Sequence, residues 1–298
     1  MGIAIVFAGQ GSQYSGMGRD LYDNSAAARE IFDISGAADL CFSGSDEELS
    51  QTINTQPAML AVELAAAAAL TEIGITADYT AGFSLGEVAA LTYAGVFNPA
   101  DAFYLIRKRA EFMTECSNNG GGMAAVLKLS DEQVEALAEQ YGVYPVNYNC
   151  PGQITAAGLK DKLDMFCGAV AEWGGRTVKL AVSGAFHSPY MSGASEKLQD
   201  VINSLEINEP KISVYSNVTA TPYTNAHDIC GLLCTQVMSP VRWQQTIENM
   251  IADGADTFIE VGPGKVLSGL IKRISKDVKI MNVEKFEDMG TVKDNVKG

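Results

Sequence analysis

"TAGFSLGEVAALTYAG" occupies residues 80–95. Gly82 and Gly86 flank Ser84 in a Gly-x-Ser-x-Gly pattern. The run "ADYTAGFS" (77–84) reads as a short strand entering the turn. "LGEVAALTYAG" (85–95) reads as the helix leaving it, with Gly95 as its stop. A serine between two glycines, with a strand before and a helix after, makes the sharp turn that exposes a nucleophilic hydroxyl. The helix N-terminus then faces any oxyanion formed on attack. A serine cap in an ordinary strand-to-helix turn carries the same residues, so the rest of the chain must decide between the two.

Outward from this turn, strands alternate with helices. "IAIVFAG" (3–9) is a fully apolar strand of the kind buried in parallel sheets, and the glycine-rich "GQGSQYSGMG" follows it. Helices are expected over 20–34, over 55–74 with Pro57 near its start and Gly74 at its end, and over 99–116. This alternation predicts an α/β fold with a parallel-sheet core. "NNGGGM" (118–123) breaks the pattern. Beyond it come strand 123–129, helix 130–141, strands 143–149 and 153–158, helix 159–174 and strand 176–182. Their order, βαββαβ, is ferredoxin-like. The expected organisation is therefore a hydrolase-like large domain, residues 1–122 and 186–298, with an inserted ferredoxin-like small domain, residues 123–185. The larger pattern resumes with helices 189–205, 226–237 and 241–253, a strand over 211–217, a strand and turn over 257–264, and a last helix over 265–275.

Composition narrows the function. Apolar residues make up 47 % and charged residues 19 %, which fits a packed globule. The net charge of -15 repels nucleic-acid phosphates. The six cysteines form no CxxC pair and no zinc-ligand spacing with histidine, so reduced thiols in a cytoplasmic protein are expected. The N-terminus has no signal-peptide pattern, and the apolar run 58–70 is too short to span a bilayer and contains Glu63. No membrane association is expected.

A serine nucleophile needs a base, and the chain has only two histidines. His227 lies in the polar "TPYTNAHDI", where a solvated loop accounts for it. His187 lies in "SGAFHSPYM", between apolar and turn residues, and is the better candidate. No carboxylate stands out as a third member, which suits a Ser-His dyad oriented by a backbone carbonyl. "IRKRAEFM" (106–113) places Arg107, Lys108 and Arg109 on a helix. A solvated face accounts for the first two, and for Arg109 as readily as a site does.

Taken together, "GQGSQ" (9–13), "GFSLGE" (82–87), "RAEFM" (109–113), "GGGMAAV" (120–126), "VNYNCPGQITAAG" (146–158), "GAFHSPYM" (184–191), "SPVRW" (239–243) and "EVGPGKVLSGLIKRI" (260–274) resemble the malonyl-CoA:acyl carrier protein transacylase family. They occur in the family's order over nearly the whole chain. The resemblance implies Ser84 as the nucleophile that carries malonyl as an ester, and His187 as its general base and acid. It implies the Gln10 and Leu85 amides as the oxyanion hole, and Arg109 as the bidentate partner of the malonyl carboxylate. It implies that the Gln236 backbone carbonyl orients His187. Phe186 before the histidine matches malonyl-type relatives, and its ring would crowd an α-methyl group, a discrimination of about 1–3 kcal/mol. Two positions depart from the family's pattern. Phe83 stands where the family usually has histidine, and Ala8 where it usually has proline.

The reaction implied is ping-pong transfer from malonyl-CoA to the phosphopantetheine thiol of acyl carrier protein in fatty acid synthesis. No permanently bound cofactor or metal is expected, and a monomer is. The alternatives are a discrete polyketide acyltransferase, or a hydrolase or thioesterase using the same dyad. Carrier proteins are acidic, so a local basic patch is expected on this acidic chain. Lys265, Lys272 and Arg273, together with Lys276 and Lys279, fall in a stretch whose only acid is Asp277. Arg176 and Lys179 lie on the small domain's last strand. All are carrier or CoA-phosphate candidates, and a solvated face accounts for any one of them equally.

Overall fold

Short runs of apolar and β-branched residues build the central layer of the molecule, a computed structural model that describes residues 2–297. Strands β1 (Ile3–Phe7), β2 (Tyr79–Gly82), β7 (Ser213–Tyr215), β8 (Thr257–Val261) and β9 (Lys279–Val283) form one sheet in the order β7-β2-β1-β8-β9, with every pairing parallel. The register pairs Phe7 of β1 with Gly82 on one side and Val261 on the other. The loops after these three strands therefore open at the same edge. The chain runs outward from β1 in both directions, so this edge is a topological switch point, where open parallel sheets bind ligands.

Helix Thr52–Glu72 fills the core beside the sheet, and sixteen of its twenty-one residues are buried. It starts three residues earlier than expected, which places Pro57 inside the helix rather than near its start. Its length and composition also exceed the expectation for 58–70. By those measures alone it could cross a bilayer, but 83 % of its most apolar window is buried inside the protein. A second sheet holds β3 (Gly121–Leu127), β4 (Tyr144–Cys150), β5 (Gln153–Leu159) and β6 (Arg176–Lys179), in the antiparallel order β4-β5-β3-β6. Helices Asp131–Tyr141 and Lys160–Glu172 contribute Val134, Leu137, Leu163, Phe166 and Val170 to a separate hydrophobic cluster with this sheet. The βαββαβ order holds. β4 also hydrogen-bonds across to the strand-like segment before helix Trp243–Ala252, through Tyr148 N to Val241 O (2.9 Å) and Val241 N to Val146 O (2.8 Å).

Several expected elements are corrected. The helix over 20–34 is two helices, Arg19–Asn24 and Ala26–Ser35, because Ser25 is extended and its side chain caps the second by accepting from Ala28 N. Helices Ala38–Ser43 and Asp46–Ser50 were not anticipated, although Ser45 and Glu48 form a capping box. The last strand of the small sheet stops at Lys179 instead of 182, and the segment 189–205 is a 3-10 turn followed by helix Ser192–Asn203. The helix Val266–Ile274 is not the last element. β9 and helix Asp288–Lys297 follow it. β9 is mostly half-exposed, so it lacks the unbroken apolar run that marks the inner strands.

Candidate active site

The turn after β2 is built around contacts that exclude side chains at both glycines. A Cβ on Gly82 would lie 1.8 Å from Gly86 O, and one on Gly86 would lie 2.4 Å from Phe7 O. Between them Ser84 takes φ +56, in the left-handed region. His187 takes φ +59. Non-glycine residues pay on the order of 1–3 kcal/mol for such conformations, so surrounding bonds must hold them. Ser84 N donates to Asn217 Oδ1 at 2.7 Å, Gln236 Nε2 donates to Ser84 O at 2.7 Å, and His187 N donates to Val237 O at 2.9 Å.

Ser84 Oγ lies 2.7 Å from His187 Nε2, and His187 Nδ1 lies 2.9 Å from the Gln236 carbonyl oxygen. A carbonyl only accepts, so the proton sits on Nδ1, and Nε2 is left as an acceptor facing the serine. Burial, then the Arg109 charge, push the His187 pKa down to about 4. The imidazole is therefore neutral at neutral pH. His227 is exposed at the start of helix Ala226–Gln236, far from this chemistry in role.

Arg109, on helix Pro99–Cys116, is 3 % exposed. Its Nη1 donates to Gln56 Oε1 at 2.7 Å, and its Nη2 to Gln236 Oε1 at 2.8 Å and to Ser84 Oγ at 3.1 Å. Its Nε is buried with no hydrogen-bond partner among the described residues. Burial lowers the guanidinium pKa, and Glu87 opposes the shift. A buried cation with an unused donor beside a nucleophile is prepared for an anionic ligand group.

Gln10, Leu85, Phe186 and Met113 join Ser84, His187, Arg109 and Gln56 around a cavity of about 80 Å³. Among the described residues, neither the Gln10 nor the Leu85 backbone N–H donates to another protein group. An adjoining channel of about 250 Å³ runs past Gly9, Gly11, Asn147, Asn149, Gln153 and Val266. Phe83 lines both spaces and packs against Trp243, with ring centroids 5.6 Å apart. The half-exposed position and the apolar neighbour account for Phe83 physically. Gln10, Phe186 and the dyad are thus brought together with Arg109 and Gln236.

The basic candidates are dispersed. Lys265 and Lys272 line a hollow of about 490 Å³ on the other face of helix Val266–Ile274 from the channel. Arg273 instead donates to Gln153 Oε1 at 2.6 Å and to Pro151 O at 3.3 Å, which fastens this helix to the β4–β5 turn. Lys179 is paired with Asp164 at 2.5 Å, and Arg176 is exposed on the edge strand β6. Among the described residues, no group of three or more His, Cys, Asp or Glu converges as a metal site.

Sequence reasoning missed Gln56, Asn217 and Glu87. Glu87 had a signal, since it is a lone charge opening an apolar helix, where a buried partner is required. Gln56 lies inside helix Thr52–Glu72 and Asn217 just beyond β7, and nothing local marks them.

The acyl transferase domain family matches residues 4–298 of this chain. The malonyl CoA-acyl carrier protein transacylase of Bacillus subtilis (strain 168) is 42 % identical over 294 residues, covering 94 % of this chain and 93 % of the relative. A crystal structure of malonyl CoA-acyl carrier protein transacylase from Clostridium perfringens superposes with a TM-score of 0.96 at 39 % identity, covering 100 % of this chain and 98 % of that one. A malonyl-transacylase solved in complex with a type II polyketide synthase acyl-carrier protein superposes equally well, at 0.96 and 33 % identity, covering 99 % of this chain and 100 % of that one. With these likenesses spanning the whole fold and the Ser84–His187–Arg109 cluster at its centre, the chain belongs to the acyl transferase family, in its malonyl CoA-acyl carrier protein transacylase group.

Proposed function

We propose that this chain moves a malonyl group from malonyl-CoA to the phosphopantetheine thiol of acyl carrier protein, for fatty acid synthesis, through an ester on Ser84. One observation carries the reading: a buried arginine lies 3.1 Å from the nucleophilic oxygen and keeps an unpartnered Nε. A neutral acyl group leaves that charge unpaired, whereas the malonyl carboxylate satisfies it.

The steps follow from the geometry. The malonyl carboxylate pairs with Arg109, and the thioester oxygen lies against the Gln10 and Leu85 amides. His187 Nε2 takes the Ser84 hydroxyl proton as Oγ attacks the thioester carbon. The tetrahedral oxyanion is held by the two amides and the N-terminus of helix Gly86–Tyr93. It collapses by breaking the carbon–sulfur bond, and the imidazolium returns its proton to the departing CoA sulfur. In the second half, His187 takes a proton from the carrier's thiol, the sulfur attacks the ester, and Ser84 leaves with the proton. The channel beside Asn147 and Asn149 suits the pantetheine arm of either donor or acceptor. The Gln236 carbonyl keeps the imidazole in the required tautomer.

Phe186, 6 % exposed on the cavity wall, favours malonyl over α-methyl analogues. Lys265 and Lys272 lie on the face of helix Val266–Ile274 turned away from the channel, so their part in the reading is to meet an acidic carrier's surface or CoA phosphates outside the channel. The two-domain division, 1–122 with 186–298 and 123–185, belongs to the same reading and is supported by the second hydrophobic cluster, whose buried members run from Ala124 to Val170. Its terminal residues Met1 and Gly298 lie outside the described residues. A test is to mix the chain with malonyl-CoA and then with holo-carrier protein. Malonyl on Ser84 that passes to the carrier supports transfer, and prompt release of free malonate supports the hydrolase alternative.

A further inference from the structure

Among the described residues no carboxylate hydrogen-bonds the histidine of the Ser84–His187 pair, yet a buried carboxylate lies one residue further back. Glu87 is 0 % exposed in the first turn of the helix that follows the nucleophile. Its Oε1 accepts from Asn217 N at 2.9 Å and from Tyr223 OH at 2.6 Å, and its Oε2 accepts from Gln236 Nε2 at 2.5 Å. Each of the first and last partners reaches the reacting groups. The Asn217 side chain brackets the elbow, accepting from Ser84 N at 2.7 Å and donating to Gly82 O at 2.6 Å. The Gln236 amide donates to Ser84 O, and its backbone carbonyl accepts from His187.

The orientation of Gln236 follows from what stands at its two ends. Glu87 only accepts at one end and Arg109 only donates at the other, so the amide nitrogen must face Glu87 and the amide oxygen must face Arg109. A flipped amide would set oxygen against carboxylate and NH₂ against guanidinium. The carboxylate therefore fixes the amide, and with it the residue whose carbonyl selects the His187 tautomer. Its charge also acts on the buried Arg109, which among the described residues hydrogen-bonds no carboxylate directly.

We infer that Glu87 is a positioning residue of this site, holding Asn217 and Gln236 and through them the left-handed Ser84 backbone and the carbonyl that orients His187. The inference rests on the malonyl-transfer reading above. It gives the dyad an acid that works through an amide rather than on the imidazole.

The experiment compares E87Q and E87D with the parent chain in steady-state malonyl transfer to holo-carrier protein, alongside far-UV circular dichroism and malonylation of Ser84 by intact-mass spectrometry. In E87Q the new NH₂ must oppose either Gln236 Nε2 or the Asn217 N–H. The expected result is a fall in kcat of about 100-fold with KM for malonyl-CoA held within about threefold and native dichroism. E87D keeps the charge at a shorter reach and is expected to lose only about tenfold in kcat. A kcat for folded E87Q within threefold of the parent, or a loss that falls on KM, overturns the inference. If E87Q does not fold, E87D decides: a fall in kcat at constant KM supports the inference, and a parental kcat overturns it. If the parent itself is not malonylated on Ser84, the transfer reading fails. If it is and E87Q equals it, only the role of Glu87 fails.

Discussion

Arg109 Nη2 donates to Ser84 Oγ across 3.1 Å, so the buried cation and the hydroxyl that faces the His187 imidazole are hydrogen-bonded neighbours. Arg109→Ala is expected to lower kcat/KM for malonyl-CoA by at least about 100-fold while acetyl-CoA loses far less, because the polar site penalises an unpaired group. Arg109→Lys is expected to recover only part, since an ammonium lacks the planar fork. Steady-state competition between the two thioesters checks this, and an equal loss for both contradicts the carboxylate role.

The pH profile follows from His187. Burial and Arg109 push its pKa down to about 4, from an ordinary 6.5. The base is neutral above the folded value, so kcat/KM for the free enzyme is expected to fall only as pH drops through about 4. Stability moves in the same sense. The unfolded chain binds a proton at this site below about 6.5 and the folded chain does not until about 4. The neutral histidine thus contributes stability above pH 6.5, and on the order of 3 kcal/mol of it is lost by pH 4. An acidic limb at 6.5 in the kcat/KM profile contradicts this environment.

The elbow glycines are required by contact. Gly86→Ala places a methyl 2.4 Å from Phe7 O and 2.6 Å from Ala8 O, against backbone that cannot yield without moving β1. The expected cost is about 3 kcal/mol in urea unfolding, with loss of Ser84 acylation in the folded fraction. A variant with parental stability and parental malonylation contradicts the packing described.

Acyl selectivity is expected to rest on Phe186. Replacing it with serine opens the wall of the small cavity, and the ratio of methylmalonyl to malonyl kcat/KM is expected to rise by roughly 10- to 100-fold. Mass-resolved competition for Ser84 measures that ratio. An unchanged ratio assigns the discrimination elsewhere.

Phe83 is expected to be dispensable for chemistry. No hydrogen bond of Ser84, His187 or Arg109 passes through its ring, which packs on Trp243. Phe83→His is expected to keep kcat within about threefold, checked by the same transfer assay.

Much of this site was legible in the sequence because its chemistry is carried by rare or locally patterned residues. Two glycines around a serine reveal a turn, and a shortage of histidine leaves His187 as the candidate base. The parallel core and the βαββαβ insertion were legible because buried strands are apolar throughout and helices carry their own period. The supporting residues were not. Asn217 and Gln56 reach the site only through tertiary contacts more than 50 residues away in sequence from Ser84 or Arg109. β9 was missed because a half-exposed edge strand of five residues carries little apolar signal. Arg273 read as a free cation, and a bond to Gln153 across the cleft, 120 residues distant, uses it.

The central claim is that Ser84 carries malonyl between two thiols. Intact-mass and peptide mass spectrometry after brief mixing with malonyl-CoA, followed by addition of holo-carrier protein, tests it most directly. The account expects a malonyl adduct on Ser84 that persists without carrier, disappears on its addition and reappears on the carrier's pantetheine thiol, with no adduct in Ser84→Ala. Transfer by Ser84→Ala at the parental rate, or an adduct on another residue, would contradict it.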